Sequence, residues 1–215
     1  MNGASRCPLR EVMGRRRRSD ARPRWTSAHV AGTLSGRVMR CRITPFRCHV
    51  AEPPMSDSCL TDLAARLPDL LLKTDPADLE YYGRDWTRRW LPAPLAIALP
   101  SSIEEVQGIV RWASEHGVAI VPSGGRTGLS GGAVAANGEL VLSLERMNRV
   151  LDFNADDRIL TVQAGIALEA AQAAAREHGL IYPVDFAARG SCSIGGNIAT
   201  NAGGIRVIRY GNTRE

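Results

Sequence analysis

Five glycines fall within the nine residues Gly124-Gly125-Arg126-Thr127-Gly128-Leu129-Ser130-Gly131-Gly132, directly after the apolar run Val118–Val121 and Pro122-Ser123. No other segment limits the fold so sharply. Without Cβ atoms the chain turns freely into positive φ, and successive N–H groups can converge into an anion-binding nest. Thr127 and Ser130 add hydroxyls and Arg126 adds charge. The candidate anion-binding residues are therefore Pro122, Ser123, Gly124, Gly125, Arg126, Thr127, Gly128, Ser130, Gly131 and Gly132. A pyrophosphate suits this equipment; the plain alternative is a flexible glycine hairpin.

The common nucleotide motifs do not account for the loop. GxxxxGK[ST] is absent and the lone lysine, Lys73, is far away, which excludes phosphoryl transfer by that route. GxGxxG is absent too, and Ala133–Gly138 leads to another turn and a strand rather than to a helix.

Around the loop the periodicity is that of a mixed domain. Leu60, Leu63, Leu67 and Leu70-Leu71 recur at helical spacing, interrupted by Pro68, so two short turns or a kinked helix are expected. Pro76 suits the first turn of a short helix. Leu95–Leu99 reads as a buried strand. Ser101-Ser102 with Glu104 and Glu105 form a capping box in one of two registers. Ile103, Val106, Ile109, Val110 and Ala113 then make an apolar helical face that Gly117 ends. With Val118–Val121 this is a βαβ unit with parallel strands. Leu140–Leu144 and Ile159–Ala164 read as strands, and Gly165 as the cap of an Ala-rich helix over Ala167–His178.

A second segment, Pro183–Gly204, is small, polar and glycine-rich. Backbone can approach a planar ligand where no side chain intervenes, and Ser191, Ser193, Asn197, Thr200 and Asn201 can satisfy a heterocycle edge or a polyol chain. Its alternative is a set of tight turns and a closely packed helix start. The two segments suit the walls of one dinucleotide crevice.

Charge separates the ends of the chain. The total is +5. Residues 1–55 hold 12 Arg against 3 acidic residues, a net of +9, and residues 56–215 carry −4. Residues 1–55, with Arg15–Arg18, read as a disordered extension upstream of Met55, in preference to an organellar targeting segment or to a nucleic-acid or membrane-surface arm. No secretory signal follows the Arg run, and no apolar run nears the roughly 18–20 residues of a membrane span. The five cysteines, Cys7, Cys41, Cys48, Cys59 and Cys192, contain no CxxC pair. Neither zinc nor a disulfide framework is indicated, and a reduced, cytoplasmic setting is expected.

Val121–Gly132, Glu145–Val150, Pro183–Gly204 and Arg209-Tyr210-Gly211 together resemble the FAD-binding domain of the vanillyl-alcohol oxidase/p-cresol methylhydroxylase (PCMH-type) superfamily. The likeness is greatest to its D-2-hydroxy-acid dehydrogenase branch, which includes D-2-hydroxyglutarate dehydrogenase, D-lactate dehydrogenase and the flavin subunit of glycolate oxidase. Tyr82–Thr87 share it, and it extends from Leu60 to Glu215.

The resemblance implies an α+β fold, a two-lobed domain with a βαβ lobe and a mixed lobe, truncated at its C-terminus. It implies a basic extension at 1–55, a helical lead-in at 56–93 and the FAD-binding domain at 94–215. It implies that Ser123–Gly132 hold the FAD pyrophosphate and that Gly190, Ser191, Cys192, Ile194, Gly195, Gly196, Asn197, Thr200 and Asn201 line flavin and ribitol, with Pro183 and Asp185 near the ring. Some members tether FAD through a histidine in the first loop. Arg126 stands in that neighbourhood, so noncovalent FAD is expected. Cys192 is expected as a neutral lining residue rather than a thioether link.

The implied reaction oxidises a D-2-hydroxy acid, such as D-lactate, D-2-hydroxyglutarate or glycolate, to the 2-oxo acid, with a flavoprotein or quinone as acceptor. The family's substrate domain, with its histidines and metal-binding carboxylate, is expected beyond Glu215. His116 and His178 each precede a glycine at a helix end, and no catalytic residue or metal ligand is assigned. The alternative is an inactive flavin-domain remnant or split-subunit fragment. Nucleic acid is not expected as a partner.

Overall fold

Strand β2 (Ala96–Leu99) has all four residues buried, and the first lobe is built on it. The computed structural model describes residues 57–215. The basic segment 1–55 and the expectations attached to it lie outside the described residues. β2 pairs antiparallel with β1 (Leu71–Lys73) and parallel with β4 (Leu140–Ser143). β4 in turn pairs parallel with β3 (Ile120–Ser123), giving the order β1-β2-β4-β3.

β2 and β3 run the same way, as the βαβ reading requires, but they are not neighbours. β4 is buried at every residue and takes the place between them. β3 is only partly buried, and its exposed Pro122 lacks a ladder donor, which suits the sheet edge.

Alternation along β2 sends side chains to two cores. Ala96 and Ala98, with Leu140 and Leu142, meet Leu63, Ile109, Trp112 and Ala113 from helices α1 (Asp57–Arg66) and α3 (Ile103–His116). Ile97, Leu99 and Val141 meet Tyr82 at the end of α2 (Pro76–Tyr82), together with Ala135.

Two expectations change here, and a third, left open between two registers, is settled. Leu70-Leu71 do not extend a helix: α1 ends at Arg66, before Pro68, and Leu71 opens β1 against the ladder that β2 offers, so the lead-in is not wholly helical. The buried face of α3 is turned toward Trp112, which is 1% exposed, while Ile103 is 61% exposed. The Trp112 indole donates to Asp62 at 3.1 Å, joining α3 to α1. The capping box takes the second register. Ser102 Oγ accepts the Glu105 N–H at 3.2 Å, and Glu105 Oε2 reaches the Ser101 N–H at 2.6 Å.

The second lobe holds the antiparallel pair β5 (Val150–Asn154) and β6 (Ile159–Val162). It also holds helices α4 (Leu168–Glu177), α5 (Ile194–Thr200) and α6 (Val207–Tyr210). Ile166, Leu168, Ala171, Val184, Cys192 and Ile194 form its core. Gly165 does not cap α4. A Cβ there would strike the Leu144 carbonyl, so glycine permits a close chain crossing. The first N–H groups of α4 are instead satisfied by the second glycine-rich segment: Leu168 donates to the Cys192 carbonyl at 3.1 Å and Glu169 to that of Arg189 at 3.0 Å.

Replacing Trp112 by Ala removes the largest fully buried side chain and its bond to Asp62. Urea unfolding should show a loss of about 3–5 kcal/mol; a loss under about 1 kcal/mol would mean that the α1–α3 core is not organised around the indole.

Candidate functional site

The first glycine loop starts where two parallel strands end together, with Ser123 in register with Ser143. The carboxyl ends of parallel strands are where open α/β sheets place ligands. Among the described residues, the N–H groups of Gly125, Arg126, Thr127 and Gly128 have no protein acceptor. Gly128 and Gly132 face open space where a Cβ would stand. Ser143 Oγ, fully buried, is the described buried side-chain atom without a partner.

The loop is held from below by the lead-in. Asp85 is 3% exposed. Its Oδ1 accepts from the Thr87 hydroxyl at 2.7 Å and the Thr87 N–H at 2.9 Å, and its Oδ2 accepts from the Gly131 N–H at 3.0 Å. The Thr87 hydroxyl first, then these N–H groups, hold its carboxyl below the usual aspartate range against the opposing effect of burial. Gly131 has φ +79°, and a Cβ there would meet the Trp90 ring. The Trp86 N–H donates to the Gly128 carbonyl at 3.3 Å.

The second segment closes on the first from the other lobe. A Cβ on Gly124 would strike Ser193 Oγ, and one on Gly125 would strike the Ser191 carbonyl. The two loops are therefore in backbone contact and bound one cavity of about 380 Å³. Gly124, Gly125, Arg126, Thr127, Ser191 and Ser193 line it, as expected for two walls of a crevice. Several lining residues were not among the sequence candidates: Arg84, Arg88 and Trp86 from the lead-in, Glu145, and Gly165 with Ala167. The aromatic, charged stretch Tyr81–Trp86 was the available signal. Glu145 accepts from the Tyr82 hydroxyl at 2.5 Å. Burial, then this bond, raises the phenol's pKa well above its ordinary value.

The remaining candidates lie elsewhere. Pro122 is on the exposed edge of β3, and Gly128, Ser130 and Gly132 are on the solvent side of the loop. Cys192 and Ile194 belong to the second core. Burial pushes the Cys192 thiol up, and Asn197 Nδ2 lies 3.6 Å from its sulfur. The Gly195 N–H donates to the Ala164 carbonyl at 2.8 Å and that of Gly196 to Ser193 Oγ at 3.3 Å, so α5 caps itself. The Thr200 hydroxyl donates to the Gly196 carbonyl, and Asn201 ends α5 at φ +50°. Gly190 lies beside Glu169, and Pro183 is half-buried next to Val184. Asp185 faces a second cavity, paired with Arg189 at 3.4 Å and Arg206 at 3.7 Å.

His116 stacks on Trp112 and His178 on Phe153; neither lines the cavity. Among the described residues no cluster could hold a metal ion, and no helix is long and apolar enough to cross a membrane.

The FAD binding domain family matches residues 94–215. The chain belongs to that family. It is 77% identical over 161 residues to a D-2-hydroxyglutarate dehydrogenase of Xanthomonas citri pv. viticola, covering 75% of this chain and 34% of the relative. It thus spans about a third of the length of that curated protein. Among solved structures, alkyldihydroxyacetonephosphate synthase superposes with a TM-score of 0.66 at 25% identity, over 76% of this chain and 32% of that one. p-Cresol methylhydroxylase shares the fold, with a TM-score of 0.56 at 20% identity over 69% of this chain and 30% of the other. The two-lobed α+β architecture is that of PCMH-type flavoproteins, and FAD is the family's cofactor. The donor set fits such a ligand: unpaired N–H groups on residues that line the cavity, and glycines without side chains in the way.

The lowered pKa of Asp85 predicts an acid effect with a definite sign. Its contribution to stability is complete above the unfolded aspartate pKa of about 3.9. It fades as the pH falls through the lower folded value. Asp85→Asn should lower the urea midpoint at neutral pH, and the gap from wild type should narrow on acidification below about pH 4. A gap that widens there would refute this reading of the carboxylate.

Proposed function

We propose that this chain is the FAD-binding part of a flavin-dependent D-2-hydroxy-acid dehydrogenase whose substrate is D-2-hydroxyglutarate. The observation that carries this reading is the row of unpaired N–H groups at Gly125, Arg126 and Thr127, three residues that line a cavity closed by the second loop. Those groups would hold the pyrophosphate, with Arg84 and Arg88 supplying positive charge at the cavity wall. Ser191 and Ser193 stand opposite and would lie along the flavin and ribitol.

Bound FAD supplies hydride acceptance from C2 of the hydroxy acid, leaving a 2-oxo acid. The residues described here bind and orient it and exclude water from its phosphates. Noncovalent attachment is supported by two features. Arg126, near which some members carry the tethering histidine, is an arginine held over the rings of Tyr81 and Tyr82. The Cys192 thiol is buried in the second core, where burial keeps it protonated. The choice of D-2-hydroxyglutarate rests on the names of the relatives. Electrons would leave to a flavoprotein or quinone, and the free buried thiol is compatible with a cytoplasmic setting.

Titration of the purified chain with FAD should give saturable quenching of flavin fluorescence, with flavin fully released into the supernatant by acid precipitation. Gly125→Val drives a side chain into the Ser191 carbonyl and should weaken binding by roughly tenfold or more, about 1.4 kcal/mol or more. Unchanged binding in that variant would remove the loop from the site, and flavin retained on the precipitate would refute noncovalent attachment.

A further inference from the structure

Arg126 is the one residue of the first glycine loop that pairs a long charged side chain with left-handed backbone, φ +55°. An arginine gains nothing from that conformation and is sterically disfavoured in it. The Arg126 guanidinium folds back over the lead-in, 4.5 Å from the Tyr81 ring centroid and 4.6 Å from that of Tyr82. These two rings stand edge to face, with centroids 5.0 Å apart at 89°, so the guanidinium occupies the corner between them. From there Nη1 donates to the Gly124 carbonyl at 3.1 Å and lies 3.5 Å from Ser123 Oγ. One side chain thus ties two aromatic rings of the lead-in to the first residues of the loop.

We propose that Arg126 is a positioning residue: by clamping the loop onto Tyr81 and Tyr82 it aims the N–H groups of Gly125–Thr127 into the cavity, and it does not itself supply the charge that binds the phosphates. The inference rests on the FAD reading for its ligand, but the clamp exists without one. A planar fork is needed to stack on rings and reach a carbonyl at once, which an ammonium does not reproduce. Glycine adopts the left-handed φ without steric cost, so Arg126→Gly separates the guanidinium's contacts from the backbone conformation alone.

The test compares Arg126→Ala, Arg126→Lys and Arg126→Gly in the purified full chain. Without FAD, all three should lose the near-ultraviolet circular dichroism arising from the edge-to-face tyrosine pair, and Arg126→Ala should unfold at a lower temperature than wild type. With FAD, Arg126→Ala, Arg126→Lys and Arg126→Gly should each bind roughly tenfold more weakly, because none of them restores the planar fork. A charge contact gives a different pattern: Arg126→Lys near wild type, with Arg126→Ala and Arg126→Gly weak. That pattern, recovery of binding in Arg126→Gly, or equal binding by all three variants and wild type overturns the proposal. Wild-type chain that binds no FAD overturns the proposed function instead. The clamp is then judged on the ligand-free spectra and unfolding, and unchanged tyrosine dichroism in Arg126→Ala would sink it.

Discussion

The site depends on one close approach, that of Gly124 and Gly125 to Ser191 and Ser193. Any side chain at the two glycines would separate the lobes, because glycine backbone there meets the Ser193 hydroxyl and the Ser191 carbonyl directly. It brings together two segments more than sixty residues apart in the chain. It leaves the next N–H groups of the first loop facing a cavity rather than a neighbouring strand. The second segment makes a further contribution, because the carbonyls of Cys192 and Arg189 cap α4. The loop that lines the cavity therefore also organises the helix behind it.

The sheet order explains why the cavity lies where it does. Placing the fully buried β4 between β2 and β3 lines up the carboxyl ends of three parallel strands. The glycine loop leaves one of them, and Glu145 follows the end of another. The lead-in completes the floor through Asp85, whose carboxylate satisfies Gly131, and it also adds β1 at the far edge of the same sheet. Packing and polar satisfaction are thus shared between the lead-in and the matched family region.

Legibility followed the strength of local signals. The capped α3, the buried β2 and both glycine segments were readable because each has its own pattern: a capping box, an unbroken apolar run, a density of glycine. β1 and β5 were not readable. Leu71–Lys73 continues a leucine spacing that suits a helix equally well, and Val150–Asn154 is mostly exposed without alternation. Both are strands because a partner strand offers a ladder. The face of α3 was misjudged by its count of aliphatics, since Trp112 gains more from burial and a bond to Asp62 than Ile103 or Val110 gains. At the site, Arg84 and Arg88 went unassigned because charge in a loop has no signature until something folds against it.

By itself the sequence determined which stretches must be free of side chains, and so which ones can meet closely or face an anion. It determined the family as well, since those stretches are its most specific feature. Only the tertiary structure decided which glycines also absorb close contacts. Gly124, Gly125 and Gly165 do so at the cavity wall, whereas Gly128 faces open space. It also decided that Arg126 turns to the tyrosines rather than outward. The reason is physical: a missing Cβ is a local property, but what fills the space it leaves is set by elements distant in the chain.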